Sequence, residues 1–162
     1  METRLTWSKK WFSSNYELFM NNKKVGSMLT KPFTTSATGH LHNLNLRFQM
    51  IGFLNQKTEI IDITSNKSIG NITYNTWKTK ASIQLADEII EWRSLNWNNS
   101  KWGITKGSET IATSWNRMLS GEIISSNDNP LYILLGLFIA EYFSRSAVAI
   151  FAALFVIIIA GS

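Results

Sequence analysis

The sequence predicts a mainly β protein in which about ten to twelve antiparallel strands precede one or two apolar helices. Three observations lead to this fold class. Apolar and polar residues alternate through much of residues 12–125, polar bends recur between apolar stretches, and residues 130–162 contain only two charged side chains, Glu141 and Arg145. A strand-rich region followed by helices is typical of antiparallel sheets whose helices lie at one end of the chain.

Length, charge and cysteine content narrow the function classes. The 162 residues suit a single domain, and without cysteine the chain has no disulfide, thiolate nucleophile or Cys-ligated metal site. The net charge of +5 gives a mild preference for anionic surfaces. Residues 1–11 are expected to be a lead-in without the apolar run of about 7–15 residues of a secretory signal peptide, so we expect the protein on the cytoplasmic side.

Two stretches have the period of half-buried strands. In residues 44–50 the side chains are alternately apolar and polar, and residues 77–85 are interpreted in the same way. The expected apolar face of the second stretch consists of Trp77, Ala81, Ile83 and Leu85. Its expected polar face consists of Lys78, Lys80, Ser82 and Gln84.

Three similar hairpins are expected, because a polar bend lies between apolar residues in each of three segments. These segments are Phe19 to Val25, Ile63 to Ile69 and Ile104 to Ile111. Each returning strand begins with an apolar residue and a small one, Val25-Gly26, Ile69-Gly70 and Ile111-Ala112, at intervals of 44 and 42 residues. A small residue there suits a bulge or a close backbone approach, and we interpret the spacing as a weak internal repeat.

The apolar C-terminal region is expected to form two helices. Pro130 suits the first helical position, after Asn127, Asp128 or Asn129 as N-cap. Helices over 130–143 and 146–160 would each be roughly 21–22 Å long, against about 30 Å of bilayer hydrocarbon. We expect a polar junction at 141–146 to separate a protein-buried helix from a short apolar tail, 146–161, that anchors the protein to a membrane.

A helix that is apolar on every face is buried either in lipid or in protein. The tail residues expected to contact lipid are Val148, Ile150, Phe151, Leu154, Phe155, Val156, Ile157 and Ile158. The alternative is that the tail packs against a partner protein or a second copy of the chain.

Four segments carry a family resemblance: YELFMNNKKVGSM, IIDITSNKSIGNI with TWKTKASIQL, KWGITKGSETIATS, and DNPLYILLGLFIAEYF. With them, residues 12–143 resemble the tubby C-terminal-like superfamily, which includes tubby, phospholipid scramblases and LURP-one-related proteins. The resemblance implies a closed or nearly closed antiparallel β-barrel of about 10–12 strands around a hydrophobic helix at about 130–143, with Gly136 allowing close approach to a strand. The residues then implied to plug the barrel are Leu131, Ile133, Leu134, Leu135, Leu137, Phe138 and Ile139.

Basic and aromatic residues suggest contacts with anionic surfaces. The lysines expected to face lipid headgroups are Lys9, Lys10, Lys23, Lys24, Lys31, Lys78 and Lys80. The seven tryptophans are Trp7, Trp11, Trp77, Trp92, Trp97, Trp102 and Trp115, which suit the core and rim of a barrel, a lipid interface or base stacking. A nucleic-acid partner is disfavoured, because Trp77 is expected on the face opposite Lys78 and Lys80.

Two groups of polar residues bear on catalysis. His40 and His42 would point the same way from a strand about 7 Å apart, but no third metal ligand is evident nearby, so no metal site is expected. Asp87, Glu88 and Glu91 are interpreted as a polar turn before a strand rather than an acid–base set. Common nucleophile, phosphate and dinucleotide motifs are absent from the sequence.

We therefore expect a non-enzymatic, membrane-associated barrel with a lipid-associated or scaffold role, without a cofactor. Membrane lipid is the expected partner. The second hypothesis is a soluble barrel whose terminal helix contacts a protein partner or a second copy, and the third is an enzyme whose histidines and carboxylates converge in a cleft.

Overall fold

The computed structural model describes residues 2–30, 36–52 and 57–160; within the last range, it describes only the backbone of residues 148–152, 155, 157, 158 and 160. It confirms the mainly β fold. Twelve antiparallel strands close into one barrel, and a helix follows them. Strands adjacent in the chain are adjacent in the barrel, and the first strand pairs with the twelfth to close it.

The elements succeed one another with short connections, as expected for an up-and-down barrel. The strands are β1 Thr3–Lys9, β2 Tyr16–Met20, β3 Lys23–Thr30, β4 Ser36–Leu41, β5 Leu44–Ile51, β6 Lys57–Asp62, β7 Lys67–Asn75, β8 Lys80–Leu85, β9 Glu88–Ser94, β10 Lys101–Lys106, β11 Glu109–Asn116 and β12 Ser120–Ser125, followed by helix α1 Pro130–Ala160.

The expected lead-in over residues 1–11 is wrong, because most of it belongs to the barrel. In β1, Leu5 and Trp7 are buried while Arg4 and Thr6 are exposed, the alternation of a half-buried strand. β1 lies between β12 and β2, so these residues close the barrel.

The three predicted hairpins are confirmed as β2–β3, β6–β7 and β10–β11, and each has an irregularity at the same place. In the second strand of each hairpin, one residue is left out of the pairing with the first strand. These residues are Val25, Ile69 and Ile111. A side chain at Gly26 or Gly70 would meet the carbonyl oxygen of His40 or Gln84 at 2.3 Å. The spacing of small residues therefore marks a repeated β-bulge with close backbone approach.

The first half of α1 fills the barrel. Of the predicted plug residues, Leu131 is partly buried and the other six are buried. A Cβ at Gly136 would lie 2.2 Å from the Trp102 ring, so glycine lets the helix approach β10. The side-chain oxygen of Asn129 accepts a hydrogen bond from the amide of Leu131 at 3.0 Å, and Pro130 is the first helical residue, as predicted.

The prediction of two helices is wrong, because α1 continues without a break from Pro130 to Ala160. The polar residues at the expected junction stabilise the helix rather than end it. Glu141 and Arg145 form an i, i+4 ion pair at 2.9 Å, and the Ser146 hydroxyl donates to the Tyr142 carbonyl oxygen at 2.9 Å. No glycine or proline lies between 137 and 160, so nothing in the chain breaks the helix.

Antiparallel order gives the barrel two distinct ends. The cap end, where α1 begins, has the connections 21–22, 42–43, 63–66, 86–87, 107–108 and 126–129. The exit end, where α1 leaves the barrel, has the described connections 10–15, 76–79, 95–100 and 117–119. Tyr132 reaches Glu88 at the cap end, and Glu141 reaches Tyr16 at the exit end, which fixes the direction of the helix.

Candidate functional site

At the exit end, a buried carboxylate ties the helix to the barrel. Glu141 is only 4% exposed, and its Oε1 accepts from Arg145 at 2.9 Å. Its Oε2 accepts from the Tyr16 hydroxyl at 2.7 Å and lies 3.6 Å from Lys9 Nζ. A buried charge is costly without such partners. Two of these contacts come from the strands, from Lys9 on β1 and Tyr16 on β2, so they fix where the helix leaves the barrel.

Tyr16 is a structural hydrogen-bond donor in this cluster. Burial, then the charge of Glu141 and the hydrogen bond to it, raises the pKa of the Tyr16 hydroxyl well above its usual value. The hydroxyl therefore keeps its proton at neutral pH and donates it to Glu141. Trp7 packs edge-on against the Tyr16 ring with centroids 5.0 Å apart, which positions the ring.

Aromatic rings surround the helix on another side of the same opening. Tyr74 stacks on Tyr142 with ring centroids 3.7 Å apart, and Phe143 stacks on Trp92 at 5.1 Å. The Tyr74 hydroxyl shares a hydrogen bond with Thr58 at 2.6 Å, so it has a partner inside the barrel wall. These contacts close the barrel around the helix, and the chain beyond about residue 144 lies outside it.

Beyond the barrel, α1 presents apolar side chains. Leu154, Val156 and Ile159 are each more than half exposed. The side chains of the other predicted tail residues, Val148, Ile150, Phe151, Phe155, Ile157 and Ile158, lie outside the described residues. Over the described part of the chain, none of the helical sequence is both long and apolar enough to cross a bilayer.

The tryptophans divide by position rather than forming one cluster. Trp7, Trp92 and Trp102 are buried in the core. Trp11, Trp77 and Trp97 are 65%, 100% and 94% exposed and lie in three different connections of the exit end. Trp115 is exposed on β11, with Lys101 Nζ 5.3 Å from its ring centroid.

The placement of Trp77 on the apolar face of a strand is therefore wrong. β8 begins only at Lys80, and Ala81, Ile83 and Leu85 are buried as predicted. Trp77 instead lies in the turn 76–79, whose geometry is set by the Asn75 side chain accepting from the Lys78 amide at 3.2 Å. Trp77 and Lys78 thus share a loop tip, and the expected separation of tryptophan from lysine does not exist there.

The predicted lipid-facing lysines also divide between the two ends. Lys9, Lys10, Lys78 and Lys80 lie at the exit end. Lys23 and Lys24 lie at the cap end, and Lys31 lies outside the described residues. Lys24 pairs with Glu17 at 2.6 Å and Lys80 pairs with Glu91 at 3.3 Å. One surface cannot collect all of them.

The histidines and carboxylates considered for chemistry do not converge. His40 is on β4 with Nδ1 2.8 Å from the Asn45 side-chain oxygen, whereas His42 is in the following turn with φ 53°, so the two do not share one strand. Glu88 pairs with Lys106 at 2.6 Å. Within the described ranges, no group of three or more His, Asp or Glu side chains could hold a metal ion.

Sequence reasoning missed that the exit end gathers exposed aromatic loop tips, including Phe12 beside Trp11 and Met118 in the connection 117–119. Lys10, Trp11, Phe12, Met118 and Arg145 line one shallow depression beside the emerging helix. A usable signal was present, because large apolar residues among Ser, Asn and Lys, as in KKWFSSN and LNWNNS, are exposed at loop tips without a strand to bury them. Comparison with protein-family models, curated proteins and solved structures gives no match to the chain.

Proposed function

We propose that the chain is a non-enzymatic, lipid-associated barrel module, held at the cytoplasmic face of a membrane by the apolar part of α1 outside the barrel. The observation that carries the proposal is the continuity of α1. The first half of the helix packs in the core of the barrel, and the second half carries exposed apolar residues such as Leu154 and Val156. Apolar surface outside a closed core favours transfer into lipid or a protein interface.

The lipid environment is preferred for three reasons. The projecting sequence SAVAIFAALFVIIIA is apolar on all sides, whereas a protein-binding helix commonly has one apolar face. Arg145 lies where the apolar part begins, which agrees with the preference for positive charge on the cytoplasmic side. The tubby-like pattern of a barrel around a C-terminal helix, in a superfamily with members proposed to act at membranes, supports the same function by analogy only.

The experiment compares vesicle flotation of the full-length protein with that of a full-length variant carrying Leu154→Ser, Val156→Ser and Ile159→Ser. The original chain is expected to float and the variant to remain in solution with an unchanged far-UV circular dichroism spectrum. Lys106→Ala, a change at the cap end, is the control and should float. If the original chain stays in solution and sediments as an oligomer, the apolar helix is buried by protein and the alternative of a soluble, self-associating barrel replaces this proposal.

A further inference from the structure

The two ends of the barrel differ in charge where their connections meet the strands. The described loops of the exit end and the strand residues that adjoin them carry six basic and no acidic side chains: Lys9, Lys10, Lys78, Lys80, Lys101 and Arg117. The equivalent positions of the cap end carry three basic and five acidic ones: Lys23, Lys67, Lys106, Asp62, Asp87, Glu88, Glu109 and Asp128. Only the exit end therefore has the charge that complements an anionic surface.

The same end has the exposed aromatic residues. Trp11, Phe12, Trp77 and Trp97 occupy three of its described connections, whereas the connections of the cap end contain no Trp, Phe or Tyr. Tryptophan favours the level of lipid headgroups, where its ring is half solvated, and lysine beside it favours anionic headgroups. The exit end thus combines exposed aromatic rings with basic side chains, as proteins do at a membrane–water interface, and the cap end does not.

Position makes these loops one surface. Trp11, Met118 and the helix residues Glu141, Ser144 and Arg145 line the depression beside the emerging helix, so the connections 10–15 and 117–119 flank it. Residues 98–100 line a second depression together with Ala140, Ser144 and Ala147 of the helix, which places the connection 95–100 there too. Tyr74, one residue before the end of β7, stacks on Tyr142, which brings the strand leading into 76–79 to the helix. Any lipid surface that holds the tail faces these loops.

We propose that the exit end is a docking face for an anionic lipid surface. The aromatic tips Trp11, Phe12, Trp77 and Trp97 lie in the headgroup layer, and the exposed Lys10, Lys78 and Arg117 lie against lipid phosphates. This inference deepens the proposed function and rests on it. The barrel then stands on the membrane with its cap end directed away. A lipid surface fits better than a nucleic acid, because the aromatic tips surround an apolar helix.

The test uses the absence of cysteine from the chain, so that one introduced cysteine carries one label. Full-length Asn98→Cys, at the exit end, and Ser108→Cys, at the cap end, are labelled with a polarity-sensitive fluorophore; both original residues are exposed. On mixed phosphatidylcholine and phosphatidylserine vesicles, the Asn98→Cys label is expected to shift to shorter wavelength and the Ser108→Cys label to remain unchanged.

Each other outcome is informative. If the protein floats with the vesicles and neither label shifts, the tail anchors the chain but the exit end does not dock, and this inference is overturned alone. If the protein does not float, the proposed function fails as well. An Asn98→Cys shift with rising protein concentration but without vesicles assigns the face to a second copy, and a shift with an oligonucleotide but not with vesicles assigns it to nucleic acid; both overturn the inference.

Charge-matched variants sharpen the result. Lys10→Ala and Lys78→Ala should each lower the partition coefficient onto phosphatidylserine vesicles about five-fold, and added salt should reduce this difference. Lys23→Ala, which removes an exposed lysine of the cap end, should leave the partition coefficient unchanged. Equal losses for all three variants would mean that net charge alone drives binding, and the docking face would be rejected.

Discussion

The two ends of this barrel are built from the same strands but present different surfaces. The cap end has short polar turns, such as Asn21-Asn22 with φ of 50° and 63°, and a helix N-terminus closed by Asn129. The exit end has longer connections with exposed aromatic tips, a buried Glu141 cluster and the projecting half of α1. The features of the cap end described above close turns and satisfy backbone groups, whereas the exit end exposes large apolar side chains that folding of the barrel does not require.

The largest expected effect separates the two halves of α1. Leu137→Lys places a charge in the closed core and should cost more than about 4 kcal/mol, preventing folding. Val156→Lys, in the projecting half, should leave the barrel folded and weaken vesicle binding by up to about 3 kcal/mol. Thermal denaturation and flotation of both variants measure the two effects. A comparable loss of folding in both would contradict the division of the helix.

A smaller effect tests the close approach inside the barrel. Gly136→Ala should destabilise the protein by about 1–3 kcal/mol, because the new Cβ overlaps the Trp102 ring, although alanine is the better helix former. Ser144→Ala, at an exposed position of the same helix, is the control and should stabilise by up to about 0.5 kcal/mol. Urea denaturation measures both. A stabilised Gly136→Ala would show that the helix does not pack this closely on β10.

The smallest effect concerns alkaline pH at the exit end. The pKa of Tyr16 is raised by burial and by Glu141, and the pKa of Tyr74 is raised chiefly by burial. Above about pH 10 the unfolded chain loses these protons while the folded chain keeps them, so stability falls as pH rises. Denaturant midpoints at neutral and alkaline pH should show this decline, and Tyr16→Phe should make it less steep. An unchanged slope in Tyr16→Phe would contradict the raised pKa of the buried Tyr16 hydroxyl.

Much of the fold was predictable, because it depends on local patterns. Pro130 with its preceding asparagine predicted the helix start, and the pairs Val25-Gly26 and Ile69-Gly70 predicted a bulge with close approach. The number of helices was not predictable from the charged pair, since Glu141 and Arg145 are consistent both with a junction and with an i, i+4 bridge. The contact of Glu141 with Tyr16 buries the carboxylate against the barrel, where it bridges to Arg145 within one continuous helix.

The candidate site was less predictable, because it is assembled from several connections. Trp77 fitted an extension of the β8 alternation and only the structure places it in a turn. Lysines distant in the chain, such as Lys10 and Lys78, come to one end, while Lys23 goes to the other, through the order of strands around the barrel. Sequence periodicity reports the face of a strand, but the end of a barrel is set by topology.

The most direct test of docking by the exit end is hydrogen exchange of the full-length protein, measured by mass spectrometry with and without phosphatidylserine-containing vesicles. Docking at the exit end predicts slower exchange on vesicles in residues 10–15, 76–79, 95–100 and 117–119, and unchanged exchange in the cap-end connections 63–66 and 107–108. Vesicle-bound protein with equal exchange at both ends, or with protection confined to the cap end, would contradict it.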